Sequence, residues 1–411
     1  MKIWNAIFFL VLCYTSNCLA QPDLDVNFSL SPEMLSMGST GVAAFTDDAF
    51  AFHYNPAQLG SWSKTNNLST GFYTSKVTPY REYFTGMKIN NYAICAGYNF
   101  LRVLPSLDIS VGFGYLNNKF YFGENSVFWN YGYPKVSSDN VFNSFKAYSI
   151  GVGFHSAVDL SLGFTFKDYR LLWSDDPAVS GNLPDQKVPQ MEEWGILLQI
   201  PVYKIINMVD TTSVSENILP FFNISIGTSV SQGCRLLSYG GLDYGAYYEQ
   251  MAHLGYAFNV GTDIRAASRH IRIIEINWNT QADNSFGYKD NPASSLFPGF
   301  GNIEFGKNLI RRESSDRVSR LSGFSVGLAN IIVFNSGSIS PYYDITASFS
   351  GYTIKAQGVL ELLPLFYSNR VIDYIAAHVD IKYTHTNAFK DLGYLETTYN
   401  GIQLTIKNIQ L

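Results

Sequence analysis

The feature that most constrains the fold is a regular alternation of apolar residues with small or polar ones, repeated along most of the chain. Residues 158–167 (VDLSLGFTFK) alternate over their whole length, and a period of two predicts a β-strand with two different faces. The same pattern recurs at residues 107–115, 148–155, 222–227 and 254–261. An apolar face toward lipid and a small, polar face toward a wet lumen would produce it. The alternative, a soluble all-β fold, usually exposes Lys, Glu and Thr instead.

The composition agrees with a chain that meets lipid. Charged residues make up 15% of the sequence, against roughly 25% in soluble domains, and the chain has 28 Tyr and 30 Phe. Beyond the N-terminus no apolar run is long enough for a spanning helix, so a closed barrel is the structure that satisfies its own backbone in a bilayer. A net charge of −5 without a basic stripe argues against a nucleic-acid partner. The sequence thus predicts an all-β fold, a transmembrane antiparallel β-barrel.

The number of strands follows from the segments and the connections between them. Alternating segments lie near residues 68, 83, 92, 107, 144, 158, 193, 220, 253, 270, 299, 320, 341, 374 and 397. Long connections follow even-numbered segments in this count, at residues 117–143, 170–192, 232–252, 281–298 and 386–396. Bacterial single-chain barrels have even strand numbers and long extracellular loops, so one of the first four segments is spurious or merges with its neighbour. We therefore predict about 14 strands, or 16 if residues 118–124 add a hairpin.

The N-terminus predicts export. Lys2 precedes an apolar core at residues 7–12 (IFFLVL), and residues 18–20 (CLA) form a small-x-small cleavage site before Gln21. This is the pattern of a secretory signal peptide, because its apolar core is too short to span a bilayer. We expect a signal peptide at residues 1–20, an N-terminal plug segment at 21–65 and the transmembrane β-barrel at 66–411. The expected location is the outer membrane of a Gram-negative-type bacterium.

Residues 36–60 contain the candidate site, a plug motif with a structural or ligand-gating role. Its positions are Met37, Gly38, Gly41, Asp47, Asp48, Asn55, Pro56 and Ala57. The glycines permit turns or close approach to a wall, and Thr46 or Asp47 is suited to cap a short helix from Ala49 to Tyr54 that Pro56 then ends. The paired acids are also candidates for contact with a bound molecule. They are weak evidence for a metal, because calcium takes roughly six to eight oxygen ligands.

The same residues resemble a known family. Residues 37–43 (MGSTGVA), 46–49 (TDDA) and 54–59 (YNPAQL) look like the N-terminal segment of the PorV/PorQ family, within the FadL-like fourteen-stranded outer-membrane proteins. The resemblance implies an N-terminal segment folded inside the barrel lumen, not a catalytic site. The residues themselves predict a short helix in this segment and no metal or cofactor. It implies outer-membrane lipid as surroundings and secretion-system subunits or secreted cargo of type IX protein secretion as partners. The alternative is a FadL-like channel for uptake of hydrophobic small molecules.

Other candidate chemistry is sparse, and the sequence predicts that the protein is not an enzyme. The six histidines are scattered along the chain. His378 and Asp380 fall in an apparent alternating strand, where both are expected to face the lumen with Lys382 as a solvated group. A Ser, His and acid at a lumen rim would suit hydrolysis, but no local sequence singles out a nucleophile.

Overall fold

The computed structural model describes most of the chain after the N-terminal leader. The described residues are 30–64, 68–78, 88–102, 108–121, 141–174, 190–209, 217–234, 250–266, 269–286, 302–313, 315, 318–340, 346–367, 370–389 and 397–409. The predicted signal peptide lies outside them. The three predicted domains and the two boundaries between them therefore stay predictions.

The described residues form a closed barrel of fourteen antiparallel strands, as the alternation predicts. Each strand pairs with its neighbour in sequence, and β1 pairs with β14 to close the sheet. The strands are β1 Leu68–Thr78, β2 Lys88–Asn99, β3 Ile109–Tyr121, β4 Val141–His155, β5 Asp159–Ser174, β6 Gln190–Pro201, β7 Ile218–Cys234, β8 Gln250–Ala266, β9 Arg269–Phe286, β10 Val318–Leu328, β11 Ile332–Ser340, β12 Ala347–Lys355, β13 Val379–Ala388 and β14 Thr397–Ile409. The prediction of a fourteen-stranded barrel is confirmed.

The two faces of each strand have the predicted character. On β5, Leu160, Leu162 and Phe164 are 38% to 44% exposed on the outer surface, whereas the intervening Ser161 and Thr165 are buried inside. A strand with an apolar outer face and a polar inner face is typical of a membrane barrel. The outer surface is therefore the lipid-facing surface, and the small residues point into the lumen.

The strand assignment differs from the sequence prediction in places. The expected segment near residue 374 is wrong, because residues 370–378 form a helix and the strand begins at Val379. A tight turn at residues 329–331 divides the region after 318 into β10 and β11, which the segment count did not separate. Residues 118–121 extend β3 instead of starting a hairpin. The segments near 83 and 299 lie outside the described residues.

The two ends of the barrel differ. Long connections follow β3, β5, β7 and β9 and share one end, called here the loop end. The opposite end, called the turn end, has short turns and helices, and in outer-membrane barrels it faces the periplasm. The described helices are α1 Pro32–Ser36, α2 Ala51–Tyr54, α3 Gln58–Trp62, α4 Val202–Val209, a π-helix Phe305–Ile310, α5 Ala356–Phe366 and α6 Arg370–His378.

Not one of these helices combines the length and the apolar character that crossing a membrane requires.

Residues 30–64, called here the lumen segment, lie inside the barrel. Helix α1 contacts β11 to β14, and α3 contacts β2 to β5. The segment supplies much of the buried apolar surface of the molecule, including Leu30, Met34, Phe50, Phe52 and Leu59, each at most 1% exposed. The core of this protein is therefore the contact between the barrel wall and its own N-terminal chain.

Candidate functional site

The lumen segment approaches the wall through a ring of glycines. On eleven strands an inward-facing glycine lies so close that an added Cβ would come within 2.8 Å of the segment. These glycines are Gly71, Gly97, Gly112, Gly151, Gly163, Gly195, Gly227, Gly255, Gly323, Gly337 and Gly351. Real Cβ atoms do not approach other atoms so closely, so any larger residue would displace the segment or the wall.

The other three strands, β9, β13 and β14, reach the segment with longer polar side chains. Gln281 Oε1 accepts a hydrogen bond from Val42 N at 3.0 Å, and Thr386 Oγ1 donates to Pro32 O at 2.6 Å. Gln403 accepts from Ala49 N at 3.1 Å and donates to Asp47 O at 2.7 Å. The segment therefore contacts all fourteen strands around the circumference of the barrel.

The first part of the plug motif is a tight turn against β10 and β11. Gly38 has φ +66°, and a Cβ there would lie 2.7 Å from Ser322 O and 2.8 Å from Ser338 N. Both the left-handed backbone and the close wall therefore require glycine. Gly41 has no positive φ, but a Cβ on it would meet the Tyr54 ring at 2.4 Å. Met37 is buried beside this turn.

Asp47 belongs to an ion-pair cluster around a buried lysine. Lys382 on β13 is 2% exposed, and its Nζ contacts Asp47 Oδ1 and lies 3.2 Å from Glu33 Oε2. Burial alone would raise the pKa of Asp47, but the Lys382 and Lys355 ammonium groups outweigh it and hold that pKa well below its usual value. One strand lysine thus pairs with two acids of the lumen segment. The Asp47 side chain is still 52% exposed.

Asp48 has the opposite environment. Its side chain is buried, Oδ2 accepts a hydrogen bond from Ser31 Oγ, and Oδ1 accepts from Phe50 N at 2.8 Å. Burial, with a further contribution from the Glu33 charge, raises the pKa of Asp48 to about 7. These bonds fix the turn that leads into α2. The expected cap is thus partly displaced: α2 begins at Ala51 without a side-chain cap, and Thr46 Oγ1 accepts from Asp48 N instead.

The Asn55-Pro56-Ala57 part of the motif ends α2 and joins the segment to the wall. Asn55 is fully buried and extended, as a residue before proline should be. Its Nδ2 donates to Val42 O at 2.7 Å and to Ile196 O on β6 at 3.1 Å, while its Oδ1 accepts from Ala57 N at 3.0 Å. The amide therefore links two parts of the segment to a strand. Its ligand-gating role stays a prediction.

A cavity of about 540 Å³ lies beside the lumen segment at the turn end. Its wall comes from β7 to β12, and the segment contributes Glu33, Met37, Phe45 and Asp47. Asn330 in the β10–β11 turn also lines the cavity. The volume lies within the roughly 300–1,000 Å³ typical of small-molecule sites. Of the plug motif, Met37 and Asp47 line this cavity.

A row of polar side chains crosses the cavity wall at one level. Asn223, Asn259, Asn277, Ser325 and Asn335 are direct register partners on β7 to β11. Successive bonds run from Asn223 Nδ2 to Asn259 Oδ1 at 3.0 Å, from Asn259 Nδ2 to Asn277 Oδ1 at 2.6 Å and from Asn277 Nδ2 to Ser325 Oγ at 3.2 Å. Sequence reasoning missed this row, because its members are far apart in the chain and only strand register aligns them.

In the wall of this cavity, Arg272 forms a second ionic group. Its Nε lies 2.8 Å from Asp263 Oδ1 and its Nη1 lies 3.0 Å from Glu275 Oε2. Glu275 also accepts from Asn259 at 2.6 Å. Arg272, Asp263 and Glu275 are therefore paired with one another, while Lys355 and Glu361 line the same cavity outside this group.

The structure also brings together a Ser, a His and an Asp. Ser110 Oγ lies 2.7 Å from His155 Nε2, and His155 Nδ1 lies 3.0 Å from Asp159 Oδ1. However, Ser110 is fully buried and donates its hydroxyl proton to Gly60 O of the lumen segment, while Lys64 Nζ lies 2.5 Å from Asp159. A nucleophile must reach a substrate carbonyl. The group is therefore an anchor for the C-terminal part of the segment.

The predicted lumen group of His378, Asp380 and Lys382 is only partly formed. Asp380 and Lys382 are buried on β13, but His378 ends helix α6, where its Nδ1 donates to Lys407 O at 2.9 Å. His378 therefore does not face the lumen as predicted, because the strand begins at Val379, after the helix that contains His378. No cluster of three or more metal-ligating side chains occurs within the described part of the chain.

The fold and the occupied lumen define a class: a transmembrane β-barrel whose lumen contains its own N-terminal segment. No protein-family model matches the chain, and no curated protein matches it.

Among solved structures, the Pseudomonas putida toluene transporter TodX is 9% identical over 95% of this chain and 98% of its own, with TM-score 0.33. CdiB from Acinetobacter baumannii is 11% identical over 83% and 60%, with TM-score 0.38. The outer membrane protein Omp33 of Acinetobacter baumannii is 6% identical over 84% and 98%, with TM-score 0.31. Likenesses this weak carry no argument about function.

Proposed function

We propose that the protein is a non-conducting outer-membrane barrel that serves as a docking component for other proteins. The observation that carries this proposal is the lumen segment, which contacts all fourteen strands. A barrel filled in this way offers no free path for a solute. The PorV/PorQ resemblance agrees, because it implies an accessory role that binds cargo or subunits of type IX protein secretion.

The packing of the segment supports a fixed plug. Leu30, Phe50, Phe52 and Leu59 are at most 1% exposed, and full burial of such a side chain contributes roughly 1.5–3 kcal/mol. Expulsion of the segment would expose all of them together. It would also separate Lys382 from Glu33 and Asp47 in a buried setting. The segment is therefore expected to stay in place during function.

An apolar surface at the turn end supports a protein partner. Helices α5 and α6 and the residue that follows α5 expose large apolar side chains: Val359, Leu363, Tyr367, Val371, Tyr374 and Ile375 are each 37% to 64% exposed. Contiguous apolar patches on a folded protein usually mark interaction sites. We infer that a secretion-system subunit on the periplasmic side covers this helical hairpin.

The alternative function, uptake of hydrophobic small molecules, has weaker support from the geometry. It requires movement of the lumen segment, with the Lys382 ion pairs as the gate. The cavity beside the segment is lined mainly by polar and charged residues, with Met37, Phe45 and Val333 as its large apolar ones. An apolar solute would find few apolar contacts there.

One experiment separates the two functions. The wild type, Lys382→Met and the control Lys204→Met, at an exposed position of α4, are compared by ion conductance in planar bilayers. We expect no steady conductance from the wild type or the control. Lys382→Met removes the lysine that pairs with Glu33 and Asp47, so the lumen segment is held less firmly and the variant should give intermittent openings. Steady conductance of the wild type, or its uptake of toluene into proteoliposomes, would refute the proposal.

The docking surface is tested in the same preparations. The double variant Val371→Asp, Tyr374→Asp should lose proteins that co-purify with the wild type from the outer membrane, as identified by mass spectrometry. Lys204→Met should retain them. Retention by the double variant, with the barrel still folded on a gel, would show that the partner binds elsewhere.

A further inference from the structure

The cavity at the turn end contains a buried amide that lacks a partner. Asn335 on β11 lines the cavity and is 5% exposed, and neither its Oδ1 nor its Nδ2 has a hydrogen-bond partner among the described residues. Buried polar side chains are nearly always hydrogen-bonded. Asn335 is also the last member of the polar row. The row therefore ends at an amide whose donor and acceptor can both bind a ligand.

We propose that this cavity binds an uncharged, polyhydroxylated small molecule of the sugar class. A hydroxyl group both donates and accepts hydrogen bonds, and an amide side chain does the same. Adjacent strands lie about 4.8 Å apart, so the row presents its amides at regular intervals along one wall. A molecule with several hydroxyls on one ring can bond more than one of them at once.

The charges around the cavity favour a neutral ligand. Arg272 pairs with Asp263 and Glu275, and Lys382 pairs with Glu33 and Asp47. The other two charged residues of the lining are also engaged: the Lys355 ammonium interacts electrostatically with Asp47, and Glu361 accepts a hydrogen bond from Gln357 Nε2 at 2.7 Å. An anion or a cation would have to compete with these pairs. An apolar ligand would leave the Asn335 amide without a partner and bury it further. A neutral polar molecule meets neither obstacle.

The cavity is accessible without movement of the lumen segment. Asn330 in the β10–β11 turn and Glu361 in α5 place it at the mouth of the turn end, and the Asp47 side chain in it is 52% exposed. A ligand would therefore enter from the periplasmic side. This inference goes beyond the proposed docking function and does not depend on it.

The test is calorimetric titration of the detergent-solubilised full chain with glucose, maltose and maltotriose. Glucuronate, in which a carboxylate replaces the C6 hydroxymethyl group of glucose, and toluene serve as the anionic and the apolar probes. We expect a saturable isotherm with one molecule bound for at least one neutral sugar. Glucuronate and toluene should bind at least about tenfold more weakly, the equivalent of roughly one lost hydrogen bond to a charged or buried group.

Two variants and a matched control assign the binding to the polar row. Asn335→Leu removes the unpartnered amide at similar volume, and Asn277→Ala removes a second member in case the first variant does not fold. Each should lower sugar affinity about tenfold. Ser336→Ala, one position along on the outer face of β11, should bind as the wild type does. Absence of binding by every neutral sugar, unchanged affinity in both variants, or tighter binding of toluene would overturn the proposal.

Discussion

Asp48 is a carboxyl group held where its charge is costly. It is 1% exposed, and burial together with the Glu33 charge raises its pKa to about 7. The hydrogen bonds from Ser31 and Phe50 oppose this shift but do not cancel it. At neutral pH the protonation of Asp48 is therefore sensitive to small changes in pH.

This shift predicts a pH-dependent stability. The pKa of Asp48 in the folded state lies above its ordinary value of 3.8, so its contribution is fully present below about pH 4 and is lost as the pH rises to about 7. Asp48→Asn should match the wild type at pH 4 and exceed it increasingly up to pH 7, by at most about 4 kcal/mol. The melting temperature in detergent, measured at several pH values, gives this difference.

Two other groups of the lumen segment, Asp47 and His53, also have shifted pKa values, and their effects must be separated from that of Asp48. Lys382 and Lys355 outweigh the effect of burial and keep the pKa of Asp47 low. Asp47 therefore stabilises the folded state above pH 4 and does not titrate between pH 4 and pH 8. Burial lowers the pKa of His53, so the contribution of His53 to the stability of the folded state decreases as the pH falls. His53 is unchanged in Asp48→Asn, so its effect cancels in the difference. A constant difference from pH 4 to pH 8 would contradict the assigned role.

At the scale of elements, the inner faces of the strands follow the shape of the lumen segment. The alternation predicts strands and correctly identifies the faces that meet lipid. The glycines and serines of the inner faces were interpreted as the lining of a wet lumen. They instead allow another backbone to approach, as Gly337 does beside Gly38 N, where an added Cβ would be 2.0 Å away. A single strand cannot reveal this, because the partner is elsewhere in the chain.

Gly163 on β5 provides the test of that packing. An added Cβ would lie 2.1 Å from Pro56 C and 2.3 Å from Pro56 O, both backbone atoms that cannot rotate away. Gly163→Ala should destabilise the protein by about 1–3 kcal/mol, as overpacking of a filled core does. Protease sensitivity of the lumen segment and the melting temperature measure it. Gly306→Ala, where nothing lies within 4 Å of an added Cβ, should change neither quantity, and equal behaviour of the two variants would contradict close packing.

The helices at the turn end show where the sequence pattern was ambiguous. Residues 370–378 (RVIDYIAAH) form a helix, although the segment was interpreted as a strand. Val371, Tyr374 and Ile375 are spaced at the helical period and share an exposed face. A segment of nine residues is short enough to fit either a helical or a strand period. The alternation of the following strand, β13, therefore extends wrongly into this segment in the sequence prediction.

At the scale of the whole molecule, the apolar belt predicts how the outer surface responds to charge. Leu162 lies near the centre of the apolar face of β5 and is 44% exposed. In a soluble protein an exposed Leu→Arg change costs little. In a membrane barrel Leu162→Arg should cost roughly 2–4 kcal/mol, because arginine meets hydrocarbon.

Val158 is the matched position at the edge of the belt. It is 37% exposed in the β4–β5 turn, and Val158→Arg should cost about 0–1 kcal/mol because it lies near the interface. Denaturant titration of the barrel refolded in lipid vesicles measures both variants. Equal, small losses would mean that this face does not contact lipid.

The sequence by itself determined the class of fold and the side of each strand that meets lipid, because a period of two is local and its chemical meaning does not depend on distant residues. Only the tertiary structure decided how the N-terminal segment packs against the barrel wall and which groups meet there. Lys382 is separated from Glu33 by 349 positions, and Asn223 aligns with Asn335 through three intervening strands. Such contacts exist only after the sheet closes in one register, since a shift by one residue would turn every inward side chain toward lipid.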